Sequence, residues 1–185
     1  MELISAKTGA ELLVQGEVIA YPTEAVYGLG CDPSNEQALQ TLLCLKNRPW
    51  EKGLILVAST LEQLSSFIDI ERIPKDSLRM MHESWPGHQT WIVPAKKSVS
   101  KLLSGDSSNL AVRVTAHPIC IELCNAFAGA IVSTSANPAG DEPARSISEL
   151  QRIFEQAPAT VGGDLGNANA PSRICDALTG KVLRE

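Results

Sequence analysis

The sequence predicts one α/β domain, residues 1–185, built on a mixed sheet with flanking helices. Three observations carry that expectation. Apolar runs of four to six residues recur between Gly, Pro, Ser and Asn, as in strands buried on both faces. Segments with apolar residues at helical spacing lie between those runs. A chain of 185 residues with 44% apolar content can fill one contiguous core but is short for two full domains.

The elements follow in order. Ala6 to Gln15 puts Ala10, Leu12 and Leu13 on one helical face, and Gly16 follows as a C′ residue. Glu17 to Tyr21 reads as a buried strand that Pro22 stops. Ser34-Asn35 can cap a helix from Glu36 to Leu45 with Ala38, Leu39, Leu42 and Leu43 inward. Gly53 to Ala58 is a second buried strand. Thr60-Leu61-Glu62-Gln63 has the character of a capping box and opens a short helix toward Ile68. Lys75 to Ser84 is a further helix, stopped by Trp85-Pro86-Gly87. His88 to Pro94 and Leu110 to Val114 are strands. Pro118 suits the first position of a helix running from Ile119 to Ala128. Ala130 to Val132 is a strand entering a Ser/Thr/Asn loop, and Ser146 to Glu149 opens the last clear helix. Short strands follow near Thr160-Val161, Arg173 to Cys175 and Val182-Leu183.

Composition removes several classes of function. No stretch approaches the roughly 20 apolar residues of a membrane span, and the N-terminus lacks the basic and apolar regions of a signal peptide. The expectation is a soluble cytoplasmic protein. Net charge is −5, which argues against a broadly basic nucleic-acid binder but leaves room for a local basic cleft. Five cysteines, an odd number without an export signal, do not make a disulfide framework. Aromatic residues at 4% are too few for a base-stacking platform. No phosphate loop, nucleophile elbow or zinc-protease helix is present, and Pro33 stands where a dinucleotide fingerprint needs its third glycine. Cys120 and Cys124 share a helical face and read as small core residues, not as a metal pair. The histidines at 82, 88 and 117 are scattered.

Four polar segments do not look like ordinary connectors. Tyr21 to Asp32 follows a strand and combines hydroxyls, a carboxylate and glycines that allow close approach of a ligand. Lys46 to Lys52 places three cations at a helix C-terminus, a density suited to a polyanion such as triphosphate; a solvated cluster on the helix dipole is the plain alternative. Ser133-Thr134-Ser135-Ala136-Asn137-Pro138 follows a buried strand, where α/β sheets bind ligands. Pro171 to Asp176 enters another strand. Arg113 sits inside the apolar run Ala111 to Val114 and needs an anionic partner, from the protein or from a substrate, because an unpaired buried charge costs several kcal/mol.

Together these segments resemble the YrdC/TsaC family, whose members are threonylcarbamoyl-AMP synthases. The matching elements are PTEAVYGLGCD, KNRP with Lys46 and Arg48, WPGHQTWIVPA, AVRVTAHP, STSANPAG with Ser135 and Asn137, and PSRICD. They span essentially the whole chain, as in the short single-domain bacterial form. One departure is Arg173, where many members carry Thr. The resemblance implies a twisted mixed sheet with a concave, locally positive central cavity. It implies that L-threonine, bicarbonate or CO2, and ATP give threonylcarbamoyl-AMP and pyrophosphate, with Mg2+ accompanying ATP. The product would serve adenosine 37 of tRNA through a separate complex of TsaB, TsaD and TsaE.

On that resemblance, the residues take roles. Lys46 and Arg48 are the expected catalytic cations, on the triphosphate and the α-phosphate. Ser133, Ser135 and Asn137 would join them in holding ATP or the carbamate. Thr23, Tyr27, Arg113 and Ser172 would form the threonine pocket, with His117 a weaker candidate. No protein residue is expected to ligate a metal directly. The competing reading is a non-enzymatic factor that binds double-stranded RNA and aids ribosome maturation, its cavity holding a phosphate backbone. A second is an ATP-dependent carbamoyl-type transferase with another acceptor.

Overall fold

A computed structural model of the chain describes residues 2–154 and 156–185. In chain order the elements are β1 (Leu3–Ile4), α1 (Ala6–Val14), β2 (Ile19–Pro22), β3 (Tyr27–Gly30), α2 (Glu36–Leu45), β4 (Ile55–Ala58), α3 (Lys75–Ser84) and β5 (Gln89–Pro94). They continue as α4 (Lys101–Ser104), β6 (Asn109–Val114), α5 (Pro118–Phe127), β7 (Ile131–Ser135), α6 (Ile147–Ile153), β8 (Ala159–Val161), β9 (Arg173–Asp176) and β10 (Val182–Arg184). The strands form one ten-stranded mixed sheet in the order β1-β8-β2-β3-β7-β4-β6-β5-β9-β10. Parallel pairs such as β4–β6 and β5–β9 alternate with antiparallel pairs such as β3–β7 and β5–β6.

Local chemistry fixes the helix starts. Ser5 caps α1 by accepting from the Thr8 N–H, Asn35 caps α2 by accepting from Ala38, and Ser146 caps α6 by accepting from Glu149. Pro118 opens α5 at the position where its missing N–H is harmless.

Period-two alternation gives each central strand two faces. Leu29, Leu56, Val112, Val132 and Trp91 lie in the larger core cluster, with Leu39 and Leu42 of α2, Met81 of α3, Leu103 of α4 and Leu150 of α6. Tyr21, Val57 and Ile131 lie in the smaller cluster, with Ala10 and Leu13 of α1 and Leu123 of α5. Two helices thus cover the second face only in part. The remainder of that face is the floor of a concave cleft. Burying one Leu, Ile or Val side chain contributes about 1.5–3 kcal/mol, so cores of this size can support a polar, uncovered floor.

Three expectations need correction, and two short elements were not foreseen. Tyr27–Gly30, read as loop, is strand β3. Tyr27 and Leu29 face the larger core, while Gly28 and Gly30 make room for the Tyr21 ring: a Cβ on Gly30 would lie 2.5 Å from the Val132 carbonyl oxygen and 2.8 Å from Tyr21 Cε1. These glycines serve packing of a neighbouring side chain. The helix expected from Thr60 is a single 3-10 turn, Glu62–Leu64. Leu64 and Ile68 are drawn into the core there, and Ile68 forms a bridge with Ala95. The short elements β1 and α4 carry too few residues to show a period. Ser133 to Ser135, read as loop, complete strand β7.

Candidate active site

The cleft holds about 400 Å³ and is lined from six strands, β3, β4, β5, β6, β7 and β10, and from the segments that connect them. Its floor follows the register. Ser135 of β7 lies opposite Gly28 of β3, Ser133 of β7 opposite Ile55 of β4, and Arg113 of β6 opposite Val57 of β4. Thr90 of β5 extends the same floor.

The cationic end is shaped by the close of α2. Asn47 takes φ +47°, its N–H donates to Cys44 O at 2.9 Å, and the Arg48 N–H donates to Leu43 O at 3.0 Å. This is a Schellman ending with Asn in the left-handed position. It sends Lys46 and Arg48 to different places. Arg48 lines the cleft, with Nε and Nη2 donating to Gly53 O at 3.2 and 3.0 Å. Lys46 is 2% exposed and lies behind the cleft wall. Its Nζ donates to the carbonyl oxygens of Ser135 and Asn137, the latter at 2.6 Å, and its own carbonyl accepts from the Ala139 N–H. Lys46 therefore braces the turn that carries Ser135 and Asn137. Burial, and after it the charge of Arg48, pulls the Lys46 ammonium down to about 8. Asn137 Nδ2 donates to Pro138 O and Asp141 O, while its buried Oδ1 accepts no hydrogen bond among the described residues.

At the other end, Arg113 meets a protein partner. Its Nη1 lies 3.0 Å from Glu24 Oε2 and 2.9 Å from His88 Nδ1. Burial raises the Glu24 carboxyl, but Arg113 and the Thr115 hydroxyl outweigh it and hold the group below its ordinary value. Nε of Arg113 is buried and donates to nothing among the described residues. Ser172 lines the cleft, its Oγ 2.7 Å from Thr90 Oγ1. Arg184 of β10 reaches back across β9 to donate to Ser172 O from Nε and Nη2, at 3.0 and 2.7 Å. Arg145 closes the rim, donating to Ala25 O and Asn169 O.

The cleft thus gathers seven of the nine expected site residues: Thr23, Arg48, Arg113, Ser133, Ser135, Asn137 and Ser172. It does not gather Lys46, placed behind its wall, or Tyr27. The Tyr27 ring points to the opposite face of the sheet and is packed in the larger core, because β3 alternates. His117 also stays out of the lining; its Nε2 bonds Asp164 O at 3.1 Å. Arg173, the departure from the family pattern, is exposed and pairs with Glu185 at 3.3 Å. Sequence reasoning missed Thr90, Arg145 and Arg184. Each is remote in sequence from the others, and only the order β6-β5-β9-β10 brings Arg184 and Thr90 to Arg113.

The net effect is four guanidinium groups, from Arg48, Arg113, Arg145 and Arg184, around hydroxyl and amide groups in an otherwise acidic protein. The lining carboxylates are Asp141 and Glu142. Among the described residues no three His, Cys, Asp or Glu side chains converge as a metal cage. Such a site suits a small ligand with several anionic oxygens.

The family model described as Sua5_yciO_yrdC, Telomere recombination, matches residues 11–185. A threonylcarbamoyl-AMP synthase of Aliivibrio fischeri is 49% identical over 176 residues, 95% of each chain. The crystal structure of P. abyssi Sua5 complexed with L-threonine superposes with a TM-score of 0.85 at 27% identity, over 92% of this chain and 50% of that one. This chain therefore spans about half the length of Sua5. The crystal structure of E. coli YciO gives a TM-score of 0.83 at 26% identity, over 97% of this chain and 88% of that one.

Proposed function

The chain belongs to the Sua5/YciO/YrdC family, and from that premise we propose that its cleft is the active site of a threonylcarbamoyl-AMP synthase. The observation that carries the reading is the convergence of four arginines on a floor of neutral hydrogen-bonding groups. The reaction brings together a carboxylate, a carbamate and a triphosphate, so its main obstacle is repulsion between anions.

The neutral threonine amine attacks CO2, supplied directly or from bicarbonate with loss of water. The resulting carbamate oxygen attacks the α-phosphorus of ATP. The bond from that phosphorus to the α,β-bridging oxygen breaks, and pyrophosphate leaves with the electron pair. No protein nucleophile takes part. Arg48 holds the triphosphate and stabilises charge on the α-phosphate. Ser133, Ser135 and Asn137 hold phosphate or carbamate oxygens. Arg113 and Ser172 hold the threonine carboxylate, with Thr23 beside them. Lys46 acts through the turn it braces and through its charge, and Tyr27 through the placement of β3.

Mg2+ would enter with ATP and neutralise phosphate charge. Among the described residues no three His, Cys, Asp or Glu side chains form a cage for it, and no step here runs through the ion. The product would then feed the TsaB, TsaD and TsaE complex that modifies tRNA in the cytoplasm. No helix of the described residues is long and apolar enough to cross a membrane. The RNA-binding alternative is weaker, because the cations lie inside a cleft sized for a small molecule.

Pyrophosphate release by the purified protein, with threonine and bicarbonate omitted in turn, tests the reading. Release that needs both supports it; release that needs neither refutes it.

The depressed Lys46 ammonium gives a pH signature. As pH rises through about 8 the free protein loses this cation, so ATP affinity measured by calorimetry should fall there. Lys46→Arg should move that fall to higher pH. An affinity that stays flat would mean the nucleotide does not sense Lys46. The sign for folding is opposite. Above that pH the unfolded chain binds more protons at this site than the folded one, so its contribution to stability rises until the ordinary lysine value is reached.

A further inference from the structure

Glu24 is not itself part of the cleft lining; it lies behind Arg113, 8% exposed and held from several sides. The Gly166 N–H donates to Thr23 O and the Ala168 N–H to Glu24 O, both at 2.9 Å. A Cβ on Gly166 would lie 2.7 Å from Glu24 Cα, so the two segments are in close contact. Glu24 Oε1 accepts from the Thr115 hydroxyl at 2.6 Å, and that hydroxyl oxygen accepts from the His117 N–H at 3.0 Å. Glu24 Oε2 faces Arg113 Nη1.

The same Nη1 donates to His88 Nδ1. An accepting Nδ1 makes the imidazole neutral with its proton on Nε2, and that nitrogen donates to Ala170 O at 2.9 Å. A guanidinium offers donors in one plane. Among the described residues both contacts of Arg113 fall on Nη1, leaving the Nε–Nη2 edge, whose Nε is buried without a partner there.

We infer that Glu24 is a positioning residue: with His88 it fixes the Arg113 plane so that the Nε–Nη2 edge is offered as a two-pronged donor to the substrate carboxylate. This deepens the synthase reading and rests on it only for the identity of that carboxylate as threonine's. The arrangement separates two jobs on one side chain. One edge of Arg113 is neutralised and anchored by the fold, and the other is kept for ligand.

The test compares L-threonine with its carboxylate-free analogue threoninol, by calorimetric titration of the full chain. Wild type should bind threonine about tenfold or more tightly than threoninol. Glu24→Gln keeps the side chain's shape and should erase most of that preference, with ATP affinity unchanged. Thr115→Val, which removes the hydroxyl that anchors Oε1 and accepts from the His117 N–H, should reduce the preference less and serves if Glu24→Gln does not fold. An unchanged preference in a folded Glu24→Gln, or in Thr115→Val should the first not fold, overturns the inference; so does a wild type without the preference. A loss of ATP and threonine affinity together marks a merely structural role and overturns it too. The synthase reading is judged separately, by wild-type pyrophosphate release.

Discussion

Replacing Arg48 by alanine is expected to slow threonine- and bicarbonate-dependent pyrophosphate release by about 10- to 150-fold, the effect of losing one charge-assisted contact of about 1.5–3 kcal/mol. The protein should stay folded. Among the described residues Arg48 donates only to the carbonyl oxygens of Lys52 and Gly53, next to the short 3-10 turn Trp50–Lys52, and water can replace those bonds. Circular dichroism and steady-state rates on the same sample check both halves. Arg48→Lys should recover only part of the rate, since a point charge cannot reproduce the planar fork. Full activity in Arg48→Ala would remove this residue from the machinery.

Arg113→Met is the second large effect, and it acts on stability as well as activity. The variant leaves the Glu24 carboxylate buried opposite a thioether, which should cost about 3–5 kcal/mol. Threonine binding should be lost with it. Adding Glu24→Gln removes the stranded charge, so the double variant should recover most of the stability and none of the threonine binding. Thermal unfolding and threonine titration on the four proteins of the cycle read the two quantities separately. An Arg113→Met protein as stable as wild type would mean the pair contributes nothing to the fold. One that still bound threonine would mean another group holds the carboxylate.

The order of the larger elements was legible because their signals are local. Asn35 before Ala38-Leu39, Pro118 before Ile119, and the apolar run Leu54 to Ala58 each announce themselves within a few residues. Strand β3 was not, because two of its four residues are glycines. Their purpose, space for the Tyr21 ring, depends on a neighbouring strand. Tyr27 lies outside the cleft lining for the same reason: once Tyr27–Gly30 is a strand, alternation sends Tyr27 away from Gly28 and the cleft.

The site was legible to the extent that its residues cluster along the sequence. The Lys46 to Lys52 and Ser133 to Pro138 segments stood out, but the turn at Asn47, with its positive φ, sends Arg48 into the cleft while Lys46, still at the helix end, is held behind its wall by the carbonyls of Ser135 and Asn137. The need of Arg113 for a partner followed from its apolar strand. That the partner is Glu24 required the approach of the segment after β2 to β6, far apart in sequence. Arg145 and Arg184 carried no local mark, since a lone arginine near a helix start or in an edge strand usually faces water.

The measurement that bears most directly on the account is mass spectrometry of nucleotide products formed with bicarbonate labelled in its carbon. Threonylcarbamoyl-AMP carrying the heavy carbon is the expected product, formed only when protein, L-threonine, labelled bicarbonate and ATP are all present. AMP and pyrophosphate without any labelled adenylate, or no nucleotide product from folded protein that binds ATP, would contradict it.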